Sequence, residues 1–160
     1  MRIALALCIA LGLLSPALAG PIEPADIRVI DGDTILAHGQ TYRLVGFDAP
    51  ETGRRSKCDI ERALGHIATD RLRELIDQGG LDLTEVRCSC PTKSIGTRSC
   101  NYGRLCGTLT AQGKDVGATL ISEGFARPLR CTTTRCAPLQ SWCRRIDDPG
   151  RLARSAFAPP

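Results

Sequence analysis

Four charged side chains between residues 33 and 51 have the types and spacing of a site for phosphate chemistry. Asp33 and Asp48 offer hard oxygen ligands of the kind that Ca²⁺ takes from proteins. Arg43 adds a forked, permanently charged donor that matches the geometry of a phosphate group. Glu51 carries a carboxylate that can hold or deprotonate an attacking water. Together these residue types predict a site for phosphate chemistry with ligands that suit Ca²⁺.

A backbone group is predicted to complete the metal site. Pro50 disfavours the helical conformation for the residue before it, so Ala49 is expected to be extended with its carbonyl free to act as a third ligand. A site with so few protein ligands keeps coordination positions for water and for a substrate oxygen.

Short apolar runs separated by turns must position these residues. Val29–Ile30 and Ile35–Ala37 flank Asp31-Gly32, and Asp-Gly between apolar runs is a strong hairpin signal. His38–Gln40 is predicted to form a second turn, and Tyr42–Phe47 a third strand. The resulting meander places Asp33 just after one turn and Asp48 at the far end of the third strand.

The following segments predict an α+β chain. Apolar residues from Ile60 to Ile76 recur at steps of three and four, which indicates an amphipathic helix ended by Gly79-Gly80. Leu81–Val86 and Leu105–Leu109 favour two further strands, and Asp115–Glu123 favours a short second helix. Five strands with a helix between the third and the fourth fit a five-stranded, partly open barrel of the oligonucleotide-binding (OB-fold) type with two to three helices.

Four ordered segments resemble the staphylococcal-nuclease-like (thermonuclease) family. DGDT at 31–34 and RLVGFDAPE at 43–51 are similar to its first two signatures. Tyr102–Leu105 resembles the third, and Leu120–Arg127 resembles the helix end that closes the fold. The likeness runs from about residue 26 to residue 127, with an insertion around Pro91–Cys100.

This resemblance implies an OB-fold endonuclease that hydrolyses DNA and RNA with Ca²⁺ and leaves 3′-phosphate ends. It implies that Arg104 is a second catalytic arginine and that Tyr102 contacts substrate. The implied site is therefore catalytic Arg43, Glu51 and Arg104, metal-binding Asp33, Asp48 and Ala49, and substrate-binding Tyr102. Single strands are the expected preferred substrate, and a monomer without a stable protein partner is expected.

The chain departs from the family where the nucleotide-stacking tyrosines would fall. Arg130 and Thr132 stand near those positions, and aromatic residues make up only 4% of the chain. A non-catalytic nucleic-acid or protein-binding module on the same barrel is the alternative function, because such modules bind through stacking and a basic groove. The complete acidic and arginine set, with few aromatics, favours catalysis.

Residues 1–19 are typical of a secretory signal peptide. Arg2 precedes the apolar run Ile3–Leu14, and Ala17-Leu18-Ala19 is a small-x-small cleavage motif. The apolar run is short for a membrane span, so we expect cleavage, no membrane attachment afterwards, and a periplasmic or secreted protein. Removing 19 of the 160 residues leaves 141 with 20 basic and 17 acidic side chains, which suits one domain (20–145) with a C-terminal tail (146–160).

Eight cysteines remain after removal of the signal, and an even number behind an export signal predicts disulfides. The alternative is a zinc site formed by Cys88, Cys90, Cys100 and Cys106, but the Cys-x-Cys spacing fits zinc poorly. The predicted chain is therefore disulfide-rich, with Cys90–Cys100 as one candidate pair across the insertion. Cys136–Cys143 is expected to form a turn or two of helix that contains Trp142, a candidate core residue.

Overall fold

A three-stranded antiparallel meander begins the fold. The computed structural model describes residues 22–143, so the predicted signal peptide 1–19 and the tail 146–160 lie outside the described residues. Strands β1 (Ile27–Asp31), β2 (Thr34–Ala37) and β3 (Gln40–Leu44) are joined by two-residue turns. In the second turn, His38 and Gly39 have φ values of 50° and 73°, the left-handed conformation that matches the twist of a hairpin.

The meander extends into a larger sheet. The other elements are β4 (Phe47–Asp48), α1 (Asp59–Asp77), β5 (Leu81–Val86), β6 (Leu105–Ala111), β7 (Lys114–Asp115), α2 (Val116–Ser122) and β8 (Arg127–Pro128). The five longer strands lie in the order β1-β2-β3-β6-β5, with β3 and β6 parallel, and the short β7 pairs with β6. A bridge between Ile22 and Leu81 joins the chain ahead of β1 to β5 at the opposite edge. The predicted α+β, five-stranded OB-type architecture is confirmed.

Helix α1 begins and ends as its sequence predicts, and the glycines Gly79 and Gly80 that follow it have φ values of 72° and 59°. Asp59 and Glu61 place negative charge in the first turn, and the Glu61 carboxylate accepts a hydrogen bond from the Lys57 backbone N–H. Its inner face buries Leu72, Ile76 and their neighbours against the sheet.

Among the described residues, no helix combines the length and the apolar character needed to cross a membrane.

The core lies between the sheet and the two helices. The largest fully buried side chains are Phe47, Ile35, Leu44, Leu72, Leu109, Leu120, Val116 and Pro50. Asp115 caps α2 by accepting a hydrogen bond from the Ala118 N–H at 2.7 Å. Gly117 of the same helix packs against Phe47, the residue directly before the predicted metal ligand Asp48.

All eight cysteines of the described chain form disulfides. The pairs are Cys58–Cys143, Cys88–Cys106, Cys90–Cys100 and Cys131–Cys136. The predicted Cys90–Cys100 pair is confirmed. The alternative zinc site is wrong, because its four cysteines belong to two separate disulfides.

Two local predictions are wrong. The third strand does not run to Phe47, because Gly46 adopts a φ of 92° and the chain re-enters sheet structure as β4, which pairs with β8. Cys136–Cys143 forms no helix within the described residues. The Cys131–Cys136 disulfide closes a tight loop there, and Pro138 lacks the N–H that a helix would use.

Candidate active site

Asp33 lies in the first hairpin turn, and its carboxylate contacts the loop that follows β4. One carboxylate oxygen, Oδ2, accepts a hydrogen bond from the Ala49 N–H at 3.1 Å, and the other, Oδ1, accepts one from the Thr34 hydroxyl at 3.1 Å. The side chain is buried at 7% relative exposure. The predicted ligands Asp33 and Ala49, which are 16 residues apart, are therefore in direct contact.

Arg43 joins the two aspartates of the predicted metal site. From β3, its guanidinium forms an ion pair with Asp33 and a second one with Asp48, where Nη2 lies 3.3 Å from Oδ1. Nη2 also donates to the Phe47 carbonyl at 3.3 Å. Because one guanidinium contacts both carboxylates, the two acidic groups converge on the same small volume.

Two glycines let the loop Ala49–Glu51 approach the rest of the site. A Cβ placed on Gly32 in the hairpin turn would lie 2.7 Å from the Ala49 Cβ. A Cβ on Gly65 in α1 would lie 2.7 Å from the Glu51 carbonyl oxygen and 2.8 Å from that of Pro50. The loop is therefore packed between the turn and the helix, and its conformation depends on both glycines.

Glu51 lies at the open side of the site with an arginine partner. Its carboxylate is 3.1 Å from Arg55 Nε, and the same guanidinium donates to Asp31 at 3.3 Å. Burial raises the pKa of Glu51 above its ordinary value, the positive charge of Arg55 counteracts this shift, and the nearby Asp31 adds to it. A raised pKa makes this carboxylate a better proton acceptor than an ordinary glutamate.

Arg104 reaches the site from the segment before β6. Its Nη1 donates to the Thr34 hydroxyl at 3.1 Å, and Asn101 fixes the guanidinium through its side-chain oxygen at 2.9 Å and its carbonyl at 3.1 Å. Burial lowers the pKa of Arg104 from its ordinary value. The two predicted catalytic arginines thus approach Asp33 from different sides, Arg43 by direct contact and Arg104 through Thr34.

Tyr102 stands at the edge of this site. It adopts a φ of 59° in the turn before β6, its side chain is 76% exposed, and its ring lies 5.6 Å from the Arg104 guanidinium carbon. An exposed ring beside an arginine is available for stacking on a base. Its role in substrate binding stays a prediction.

Sequence reasoning missed four residues that the structure places here: Asp31, Thr34, Arg55 and Trp142. Asp31 and Thr34 belong to the DGDT segment, so their position in the motif was an available signal. Arg55 lies in a basic loop and Trp142 lies 94 residues from its partner Asp48, and neither carries a local signal.

The residues present fit a divalent cation. Two buried carboxylates whose oxygens meet at one positive group form a donor set of hard oxygens, which Ca²⁺ prefers. Asp33, Asp48 and the Ala49 carbonyl are the residues that would hold it. The nearby arginines balance the negative charge of the carboxylates and leave a site that can also attract a phosphate.

Comparison with known proteins shows the family of this chain. The profile of the family described as "Staphylococcal nuclease homologue" matches residues 41–144, well over half of the chain. This chain belongs to the staphylococcal nuclease homologue family. The match includes Arg43, Asp48, Glu51 and Arg104, and the contacts of Asp33 bring the DGDT turn to the same site.

Three curated proteins are similar to parts of the chain. Endonuclease YncB of Bacillus subtilis is 36% identical over 104 residues, 62% of this chain and 44% of its own length. The SPbeta prophage-derived endonuclease YokF of the same species is 35% identical over 104 residues, 62% of this chain and 32% of its own length. The succinoglycan biosynthesis protein ExoI of Rhizobium meliloti is 34% identical over 111 residues, 68% of this chain and 54% of its own length. The chain therefore spans about a third to a half of these relatives.

Proposed function

We propose that this chain is an exported, Ca²⁺-dependent endonuclease that hydrolyses phosphodiester bonds in DNA and RNA. The observation that carries the proposal is the convergence of two buried aspartates with Arg43, while Arg104 is linked to Asp33 through Thr34. Membership of the family and the names of two endonuclease relatives support a nuclease-like function. The resemblance to the family adds the expectation of 3′-phosphate ends.

Each side chain has a defined task in this proposal. When bound by Asp33, Asp48 and the Ala49 carbonyl, Ca²⁺ supplies positive charge for the phosphodiester. Glu51 orients the attacking water and accepts its proton. Arg43 and Arg104 stabilise the negative charge that grows on the phosphoryl oxygens in the transition state.

The substrate preference follows from the surroundings of the site. Tyr102 offers an exposed ring beside Arg104, and stacking on a ring requires an unpaired base. We therefore propose single strands as the preferred substrate, with no base read directly. The protein is proposed to act as a monomer.

The test is digestion of single-stranded DNA by the purified, oxidised protein, with added Ca²⁺ and with a chelator. We expect cleavage only with Ca²⁺ and its loss in Glu51→Gln, which keeps the shape of the side chain and removes its basicity. Asp82→Asn, an exposed carboxylate change on β5, is the matched control and should cleave normally. Absence of cleavage by well-folded protein would contradict the proposal and favour the binding module.

Export is a separate part of the proposal. Cleavage after Ala19 would start the mature chain at Gly20. Sequencing the N-terminus of protein recovered from the periplasm or the medium tests this directly. Recovery of the protein only in the cytoplasm with its first residues intact would contradict export.

A further inference from the structure

The C-terminal part of the described chain contributes a side chain to the predicted metal site. Trp142 is buried at 8% relative exposure, and its indole Nε1–H donates to Asp48 Oδ2 at 3.3 Å. The other oxygen of the same carboxylate, Oδ1, contacts Arg43. Both oxygens of Asp48 thus have a partner in the protein, one of them 5 residues away and the other 94 residues away in sequence.

Trp142 is itself held by contacts on two sides. The guanidinium carbon of Arg127 lies 3.8 Å from the centre of the indole ring, and Arg127 Nη1 also donates to the Ser141 carbonyl at 3.0 Å. In the backbone, the residue that follows Trp142 is Cys143, which forms a disulfide with Cys58. The side chain is therefore fixed by a stacked cation and by a covalent bond one residue away.

The Cys58–Cys143 disulfide connects this segment to the helix that supports the site. Cys58 is the N-cap residue of α1, and α1 also carries Gly65, which packs against the Glu51 carbonyl. The disulfide spans 85 residues of sequence. The disulfide therefore ties the segment that contains Trp142 to the same helix against which the loop Ala49–Glu51 packs.

We infer that Trp142 is a positioning residue for the metal ligand Asp48, and that the Cys58–Cys143 disulfide keeps it in place. The inference rests on the proposed Ca²⁺ site. An N–H donor to one carboxylate oxygen restricts the rotation of the side chain and orients the other oxygen, and loss of such outer partners typically weakens metal binding by about 10–100-fold. Trp142 and the two cysteines of this disulfide lie outside the motifs that identify the site.

Two variants test the inference through Ca²⁺ affinity, measured by calorimetry without substrate. Trp142→Phe keeps an aromatic ring and removes the N–H donor, and Cys58→Ala/Cys143→Ala removes the tether and keeps the indole. Both are expected to bind Ca²⁺ about 10-fold or more weakly. The matched control is Cys131→Ala/Cys136→Ala, which removes the other disulfide of the C-terminal segment and is expected to bind Ca²⁺ like the wild type.

Fluorescence gives a second readout, because Trp142 is the only tryptophan of the chain. Ca²⁺ is expected to change its emission in the wild type and in the control. In Cys58→Ala/Cys143→Ala the response should be lost and the emission should shift to the red, as for an indole that has moved into water.

The outcomes separate the inference from the proposed function. Native Ca²⁺ affinity in both test variants, with cleavage by the wild type intact, overturns the inference and leaves the nuclease proposal standing. A lower unfolding temperature with unchanged Ca²⁺ affinity, measured well below the transition, assigns Trp142 a purely structural role and also overturns it. A wild type that neither binds Ca²⁺ nor cleaves overturns both.

Discussion

Gly65→Ala tests whether α1 sets the position of the loop Ala49–Glu51, which carries the proposed base Glu51. The added Cβ would lie 2.7 Å from the Glu51 carbonyl oxygen and 2.8 Å from the Pro50 carbonyl oxygen, whereas ordinary contact begins at 3.4 Å. The contacting atoms belong to the backbone, so a side-chain rotation cannot relieve the clash. The loop or the helix must retreat by about 0.7 Å, the difference between 3.4 and 2.7 Å.

The steric clash and the higher helix propensity of alanine change the free energy of unfolding in opposite directions. Alanine in place of glycine within a helix stabilises it by about 1 kcal/mol, whereas overpacking costs about 1–3 kcal/mol. We therefore expect a net loss of up to about 2 kcal/mol in the free energy of unfolding. Since a misplacement of about 1 Å can reduce a rate by about 10²-fold, moving Glu51 should lower kcat by about 10–100-fold.

The assay is steady-state cleavage of a single-stranded oligonucleotide with Ca²⁺, combined with urea unfolding of the same samples. His66→Ala is the matched control, because His66 is the next residue of the helix and is exposed. It should keep the native kcat. A Gly65→Ala protein with native kcat and increased stability would refute the role of this contact.

Three further predictions concern the side chains around the proposed substrate site. Arg104→Ala should lower kcat by about 10²-fold or more. Arg104→Lys should recover only part of this loss, because lysine lacks the planar guanidinium fork. A near-native rate of Arg104→Ala in steady-state assays would contradict this role. Burial raises the pKa of Glu51 and Arg55 opposes that shift, so Arg55→Ala should raise it further. In the proposed mechanism the carboxylate form of Glu51 is active, so activity should be lost as pH falls through this pKa. The acid limb of kcat/KM should therefore move to higher pH in Arg55→Ala but not in the neighbouring control Arg54→Ala. An unmoved limb would exclude Glu51 as the titrating base. Tyr102→Ala should raise KM for single-stranded DNA by about 5-fold or more, since stacking contributes about 1–3 kcal/mol per base, and an unchanged KM would remove Tyr102 from the binding site.

Most of the fold could be predicted from local patterns. The Asp-Gly turn, the helical repeat of α1 and the capped helix α2 are written in neighbouring residues, because hydrogen bonds within a turn or a helix join residues close in sequence. The break of the third strand at Gly46 was not predicted. A single glycine within an apolar run does not reveal that its φ is positive, nor that the chain after it pairs with a different strand. The disulfide framework was predicted as a class, but three of its four pairs depend on which Cα atoms the fold brings within reach.

The sequence by itself determined which charged groups are available for the proposed chemistry: two aspartates, a glutamate and two arginines in ordered motifs. Only the tertiary structure decided how they meet. Thr34 and Arg104 are 70 residues apart, and Asp48 and Trp142 are 94 apart, yet each pair shares a hydrogen bond. Such contacts depend on sheet order, on close helix packing at Gly65 and on a disulfide, and no local pattern encodes them because each arises from the packing of elements distant in sequence.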